Sequence, residues 1–240
     1  PDSKMLAWGE RSQKLRYVEV ESGKITDAAY SPDWEIVDFN WSPDSKWIAW
    51  VKPQVAGMPT INLYSLESGV SKPVTEEWYE SANPTFSPDG KYLYFTSERS
   101  FNPVSSETEF NYAYFDMTRV YLLTLAADVE SPFKPKSDEV TPASSDSAEK
   151  KSEEAKKDES SPKTVTVKVD FDGIMDRVIA LPGGSSHYWG LTGAEDKLYY
   201  LRRGTKESAT SLLVFDVKEG KETNLGQADS YALSADGKKM

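Results

Sequence analysis

A short turn sequence that recurs along the chain constrains the fold more than any other feature. Ser-Pro-Asp, a small residue and lysine stand before an apolar run at residues 42–46 and 87–91. The chain opens inside another copy at 1–4, carries a degenerate copy at 191–197 and closes inside a further one at 233–238. The lysines of successive copies are 42, 45, 106 and 41 residues apart. Repeats of about 40 to 50 residues with several short strands are typical of β-propeller blades. Four unrelated hairpin turns, the alternative, would not explain why the flanking patterns recur too.

Each repeat is predicted to contain four strands. In the second repeat, the run 47–51 follows the turn, residues 60–66 alternate with a period of two, and a weak outer strand covers 71–75. A period of two is the pattern of a half-buried strand. Helix signals are scarce, so we predict an all-β chain of about four four-stranded antiparallel blades. The expected blade pieces are 1–35, 36–82, 83–187 and 188–228, with the start of a further blade at 229–240.

The interval of 106 residues predicts an insertion in the third blade. Its first part, 97–118, is rich in aromatic residues, which indicates an ordered loop between the second and third strands. Its second part, 137–163, holds eight acidic residues, five lysines and no aromatic residue. That composition predicts a disordered acidic surface excursion, and a charged helix within 147–159 is the alternative.

Composition excludes several functions. Lys and Arg number 28 against 39 Asp and Glu, which gives a net charge of −11. Such a chain is a poor binder of nucleic acid or of an anionic membrane surface. No apolar run reaches the ~20 residues that a membrane span requires. Cysteine is absent, so disulfides, thiol catalysis and cysteine-based zinc sites are excluded.

Catalytic and cofactor signals are also missing. The one histidine, His187, follows Ser185 and Ser186, but neighbours in an extended chain point apart, and no nucleophile-elbow sequence occurs. No glycine-rich phosphate loop is present. The run 170–173 lacks the spacing of a calcium loop and is expected to be a β-turn. We therefore predict no catalytic residue, no metal and no cofactor in this chain.

Three arginines are the candidate binding residues. Arg99 follows the second strand of the third blade, and Arg202 and Arg203 follow the second strand of the fourth. Because these positions match between blades, the three side chains are expected near one rim. There they would contact an anionic ligand or a peptide carboxylate, and solvated rim charge is the alternative.

The turn repeats resemble those of TolB-like propellers. A second set of segments resembles the tricorn protease family, whose members are serine peptidases with a core related to C-terminal processing peptidases. These segments are 97–104, 110–114, 119–125, 170–178, 180–182 and 188–191. The resemblance covers nearly the whole chain. It implies the closing blades of the second of two propellers, an open arc of a ring of about six to seven blades.

The resemblance also implies a function. In this family a PDZ domain and the catalytic core follow the propellers, so the nucleophile and its base would lie downstream. The propeller would guide or filter peptide substrates, and the full protein would form homo-oligomers. An extracytoplasmic location is expected because many bacterial relatives resemble secreted proteins, with the cytoplasm as the alternative.

Two other functions, and a closed four-bladed ring in place of the open arc, remain alternatives at this point. A TolB-like propeller would bind proteins with no enzyme attached, and a prolyl-oligopeptidase-like enzyme would add an α/β-hydrolase domain. The reading frame that follows would discriminate among these. A four-bladed ring would close by pairing 230–233 with 5–8. An open arc would instead expose Trp8 and Tyr17 on the first blade and favour self-association.

Overall fold

Short antiparallel strands of three to seven residues make up nearly all of the described regular structure. The computed structural model describes residues 2–101, 103–105, 112–133, 165–234, 237 and 239–240. The predicted disordered stretch 137–163 and part of the predicted loop 97–118 lie outside this range. Within it the chain is all-β, apart from one turn of 3-10 helix at Ile174–Arg177, which confirms the predicted propeller fold.

The strands form four successive blades. Blade 1 has three strands, in the order β1-β2-β3, and blades 2 to 4 have four each, in the orders β4-β5-β6-β7, β8-β9-β12-β13 and β14-β15-β16-β17. Their bounds are β1 Met5–Glu10, β2 Lys14–Glu19, β3 Ile25–Tyr30, β4 Phe39–Trp41, β5 Trp47–Lys52, β6 Thr60–Ser65, β7 Ser71–Pro73, β8 Ser81–Phe86, β9 Tyr92–Ser97, β12 Arg119–Thr124, β13 Val178–Ala180, β14 Tyr188–Ala194, β15 Lys197–Arg202, β16 Ser211–Asp216 and β17 Lys221–Gln227. A separate hairpin, β10 Pro103–Ser105 and β11 Tyr112–Tyr114, occupies the inserted loop of blade 3.

The recurring turn is held by its own side chains. In blade 3, the Ser87 hydroxyl donates to Asp89 Oδ1 over 2.6 Å and accepts from the Tyr92 amide over 2.9 Å. Asp89 Oδ1 also accepts from the Lys91 amide over 3.2 Å. Blade 2 repeats these three bonds through Ser42 and Asp44. Gly90 has φ of 73°, which explains the small residue at that position.

Blade 4 closes its turn without Ser-Pro. Ala194 pairs directly with Lys197, which leaves a two-residue hairpin turn. Glu195, its first residue, has φ of 52°. A left-handed residue at this position suits the twist of a two-residue hairpin. Losing the Ser-Pro sequence therefore shortens the turn rather than abolishing it.

Alternating side chains along the strands fill three interfaces between four blades. On β9, Leu93 and Phe95 face blade 2, whereas Tyr94 faces blade 4. The interface between blades 1 and 2 is smaller and contains Leu15, Ile36 and further buried residues. Because a sheet with two apolar faces cannot bury both alone, each blade is stabilised by its neighbours.

Tyr17 belongs to this first interface. Its side chain is 7% exposed and packs edge-on against Trp41, with 6.4 Å between ring centroids. The expectation that Tyr17 is exposed was wrong, because Tyr17 alternates with the residues on the free face of blade 1 and points toward blade 2. Leu6, on β1, is 58% exposed. β1 is an edge strand, and no described strand pairs with its free side.

The first strands of neighbouring blades lie side by side around a common axis. The Thr85 hydroxyl of β8 donates to the Leu191 carbonyl of β14 over 3.1 Å. On the other side of β8, the Asn83 amide donates to Asp38 Oδ2 over 2.7 Å. Asn83 and Gly190 sit at the bulges of β8 and β14, both with positive φ. The loops that enter the first strands and leave the second ones therefore form one rim, called the loop rim below. The recurring turns form the opposite rim.

Candidate functional site

The three candidate arginines lie at the loop rim, but the structure gives them different surroundings. Arg99 lies over three aromatic rings, Tyr79, Phe95 and Tyr121, at 5.4 to 5.7 Å from their centroids. Its Nε donates to the Ser97 hydroxyl over 3.2 Å. Because its guanidinium is engaged by the rings, Arg99 is placed to stabilise the exit of β9.

Arg202 is engaged by two carboxylates. Its Nη2 lies 3.2 Å from Glu207 Oε1 and its Nη1 lies 3.4 Å from Glu222 Oε1. Glu222 also accepts from the Tyr200 hydroxyl over 2.5 Å. Burial, and then the bond to Glu222, raises the pKa of Tyr200, so this tyrosine stays a neutral donor. The network joins β15 to β17 and leaves Arg202 few donors for a ligand.

Arg203 is the candidate that faces an open cavity. The cavity has a volume of about 680 Å³ and lies between the inserted loop of blade 3 and the β15–β16 loop of blade 4. Arg203 is exposed, and its guanidinium donates from Nε to the Glu207 carbonyl over 3.4 Å. The lining also includes Glu98, Tyr114, Phe115, Asp116, His187 and Trp189.

Two contacts fix the walls of this cavity. Asp116 accepts from the Thr205 amide over 2.9 Å and from the Thr205 hydroxyl over 3.1 Å. Thr118 and Ser186 exchange backbone hydrogen bonds of 3.2 and 2.9 Å. The inserted loop of blade 3 is therefore tied to blade 4 on both sides of the opening, so the cavity is preformed.

His187 lies in the cavity wall without the partners of a catalytic base. Its ring packs against Trp189 with 5.0 Å between centroids and 37° between the ring planes. Ser186 is buried and is used in the backbone bridge to Thr118. Within the described residues, no hydrogen bond joins the imidazole to a serine hydroxyl or a carboxylate. The arrangement suits stacking against a ligand better than proton transfer.

One carboxyl group near the cavity wall has a raised pKa. Glu80 precedes β8, and burial, followed by the nearby charge of Glu98, raises the pKa of its carboxyl group.

Across the described ranges, no group of three or more His, Cys, Asp or Glu side chains is arranged to hold a metal ion. The run 170–173 forms a turn into the 3-10 helix, as expected, with the Ile174 amide donating to the Phe171 carbonyl over 3.1 Å. Among the residues with described coordinates, no helix is long and apolar enough to cross a membrane.

Sequence reasoning found Arg203 but missed most of its neighbours. Tyr114, Phe115 and Asp116 belong to the aromatic segment that was predicted to be ordered, yet nothing in their spacing indicated that they face blade 4. The contact joins residues 89 positions apart, Asp116 and Thr205. A usable signal was the matching position of the two loops, since both follow the second strand of adjacent blades.

Comparisons with known proteins agree on one family. Residues 1–240 match the family model described as the tricorn protease second beta propeller domain. The chain is 30% identical to tricorn protease homolog 1 of Streptomyces coelicolor over 254 residues, which covers all of the chain and 23% of that protein. It is 26% identical to the tricorn protease homolog of Saccharolobus solfataricus, again over the whole chain and 21% of the relative. The chain thus spans less than a quarter of the length of these relatives.

Solved structures show the same fold. A crystal structure of the tricorn protease superposes with a TM-score of 0.77 at 22% identity, over 99% of this chain and 23% of that one. A TolB structure from Agrobacterium tumefaciens gives 0.59 at 14% identity, over 95% of this chain and 64% of the other. At these identities the likeness concerns the fold alone.

Proposed function

The chain belongs to the tricorn protease family, as a second β-propeller domain, and from this premise we propose that it scaffolds and gates peptide access to the catalytic core of a longer protein. The domain itself is a non-catalytic propeller segment of a tricorn-like peptidase. Peptide-bond hydrolysis, through an activated serine, would be carried out elsewhere in that protein. The PDZ and catalytic domains and further copies of the protein are its proposed partners.

The observation that carries this proposal is the preformed cavity at the loop rim. Ser186, His187 and Trp189 place one of its walls at the start of β14, beside the axis that the first strands surround. A peptide approaching along the axis would pass this opening. About 680 Å³ is room for a few peptide side chains.

The lining suits an extended peptide. Arg203 supplies a cation for a peptide carboxylate, and the adjacent rings of His187 and Trp189 supply an aromatic surface for a side chain. Glu98, exposed on the other wall, would repel a second carboxylate. Binding here positions a substrate and supplies no bond-breaking group, which is what a gate requires.

The test is made on the longer protein that carries this propeller. Arg203→Glu is compared with the unchanged protein on a ten-residue peptide and on a dipeptide amide. We expect kcat/KM to fall several-fold for the long peptide and to stay unchanged for the short one, which does not need guidance. The matched control is Lys46→Glu, an exposed charge reversal on the opposite rim. An equal loss on both substrates, or no loss on either, would contradict the gating role.

A further inference from the structure

Exposed apolar side chains and carboxylates share one region of the loop rim, away from the cavity. Three loops form it: residues 31–38 before β4, 53–59 between β5 and β6, and 76–80 before β8. We call this region the acidic–apolar face. It spans the junctions of blades 1, 2 and 3, and no residue of the cavity lining belongs to it.

The apolar part of this face is unusually exposed. Trp78 is 80% exposed, Val37 79% and Trp34 62%, and the loop between β5 and β6 adds Val55 and Met58. The opposite rim, over the described residues, presents mainly polar turn sequences, and its large exposed apolar side chains are spread over separate turns and strand ends: Leu6, Val20, Ile25, Val70 and Met240. Several large apolar side chains on adjacent loops of one surface mark an interaction site rather than scattered exposure.

The charged part of the face has one sign. Its three loops contain six carboxylates and no lysine or arginine; the carboxylates are Asp33, Glu35, Asp38, Glu76, Glu77 and Glu80. The basic residue that contacts this face from outside the loops is Arg99, whose guanidinium lies 5.5 Å from the centroid of the Tyr79 ring. Burial raises the pKa of Asp38, and burial followed by the charge of Glu98 raises that of Glu80.

Hydrogen bonds between the loops make the face a single surface. The Val55 amide donates to Asp33 Oδ2 over 3.2 Å, and the Ser31 hydroxyl donates to the Pro53 carbonyl over 3.4 Å. On the other side, the Ser81 amide donates to the Pro59 carbonyl over 3.0 Å. The central loop is therefore bonded to both of its neighbours, and a ligand that spans the face meets a preformed site with little ordering entropy to lose.

From this combination we infer that the acidic–apolar face binds a polypeptide segment in which lysine or arginine alternates with large apolar side chains. The apolar side chains would pack on Trp34 and Trp78, and the cations would face the six carboxylates. A second copy of this chain is disfavoured as the occupant of this face, because its net charge of −11 has the same sign as the carboxylates that line the face. Nucleic acid and anionic lipid are excluded by the same negative potential.

The experiment measures binding of three labelled ten-residue peptides to the folded 240-residue chain by fluorescence anisotropy. One peptide alternates arginine with leucine, the second replaces arginine with glutamate, and the third replaces leucine with serine. We expect the arginine–leucine peptide to bind at least tenfold more tightly than either of the others. Comparable binding of the glutamate peptide, or no binding of any peptide, would overturn the inference.

Variants assign the binding to the face. The double variant Trp34→Ser, Trp78→Ser should lower the affinity for the arginine–leucine peptide about tenfold. The double variant Glu76→Gln, Glu77→Gln should lower the affinity for the same peptide several-fold. This difference in affinity should shrink at high salt, because exposed charges are screened. The matched controls on the opposite rim are Val70→Ser and Glu67→Gln, both exposed, and should change nothing. Equal losses in the controls would refute the assignment. Since none of these positions lines the cavity, failure here leaves the gating test with Arg203 unaffected.

Discussion

At the scale of single residues, a buried serine hydroxyl holds the recurring turn in blades 2 and 3. Ser87 is 3% exposed, and its hydroxyl accepts from the Tyr92 amide at the start of β9. Ser87→Ala leaves that amide without its partner, so the free energy of unfolding should fall by about 1 to 3 kcal/mol. Urea denaturation of the 240-residue chain measures the loss.

Ser22→Ala is the matched control for this prediction. The Ser22 hydroxyl also accepts a backbone amide, that of Lys24, over 3.2 Å, but in an exposed turn where water can replace it. This variant should lie within about 0.5 kcal/mol of the parent. If both serine variants lost the same stability, the buried bond would not be what holds the turn.

A second residue-scale prediction concerns pH. Burial raises the pKa of Asp38 above its ordinary 3.8, although the Asn83 amide bonded to it acts in the opposite direction. The folded state therefore holds its proton at pH values where the unfolded state has lost it, and stability falls as pH rises through that interval. Asp38→Asn, which keeps an acceptor for Asn83, should gain stability relative to the parent between pH 3.5 and 7.

Asp27 is expected to give the opposite pH dependence of stability. Bonds from Lys14, first, and from Arg16 lower the pKa of its carboxyl group. Its contribution is present at neutral pH and is lost as pH falls through the lowered pKa. Thermal melts of Asp27→Asn should therefore lie below the parent at pH 7 and converge with it in acid. Parallel pH profiles for the two variants would show that the assigned environments are wrong.

At the scale of elements, one arginine joins the 3-10 helix to the end of β12. The Arg177 guanidinium donates to four backbone carbonyls. Nε donates to the carbonyl of Thr124 over 3.1 Å, and Nη1 donates to that of Asp172 over 2.8 Å. Nη2 donates to the carbonyl of Leu125 over 3.2 Å and to that of Asp170. Arg177→Met removes all four bonds. We expect unfolding free energy to fall by about 3 kcal/mol, because hydrogen bonds to charged groups contribute more than neutral ones. Arg203→Met, an exposed arginine with one long bond, is the control and should change little in the same urea titration.

The elements also show what the sequence could and could not predict. The positions of β6 and of the turns at Ser42 and Ser87 followed from local chemistry and were predicted correctly. The prediction that β6 is half-buried was wrong, because blades pack against both of its faces and every residue of the strand is buried. Arg177 was not recognised as a structural residue, because its acceptors are backbone carbonyls up to 53 residues away. The orientation of Tyr17 was missed because alternation alone does not say which face of the first blade meets a neighbour. The cavity was missed for the same reason, since Asp116 and Thr205 meet only through the stacking of two blades.

At the scale of the whole molecule, blade stacking among the described residues leaves the free face of blade 1 and the edge of β1 uncovered. β1 is an edge strand whose Leu6 is 58% exposed, while the far side of blade 4 is partly covered by Tyr231, which stacks on Tyr199 at 6.4 Å. Unpaired edges with apolar side chains recruit further strands. The 240-residue chain should therefore self-associate as its concentration rises, despite its net charge.

Sedimentation velocity across a concentration series, with light scattering, tests this expectation. Leu6→Lys should shift the distribution toward monomer, because a charge on an edge strand blocks further pairing. Val70→Lys, an equally large change at an exposed turn of blade 2, should leave the association as it is. A parent chain that stays monodisperse and melts cooperatively at every concentration would mean that the free face of blade 1 does not drive contacts.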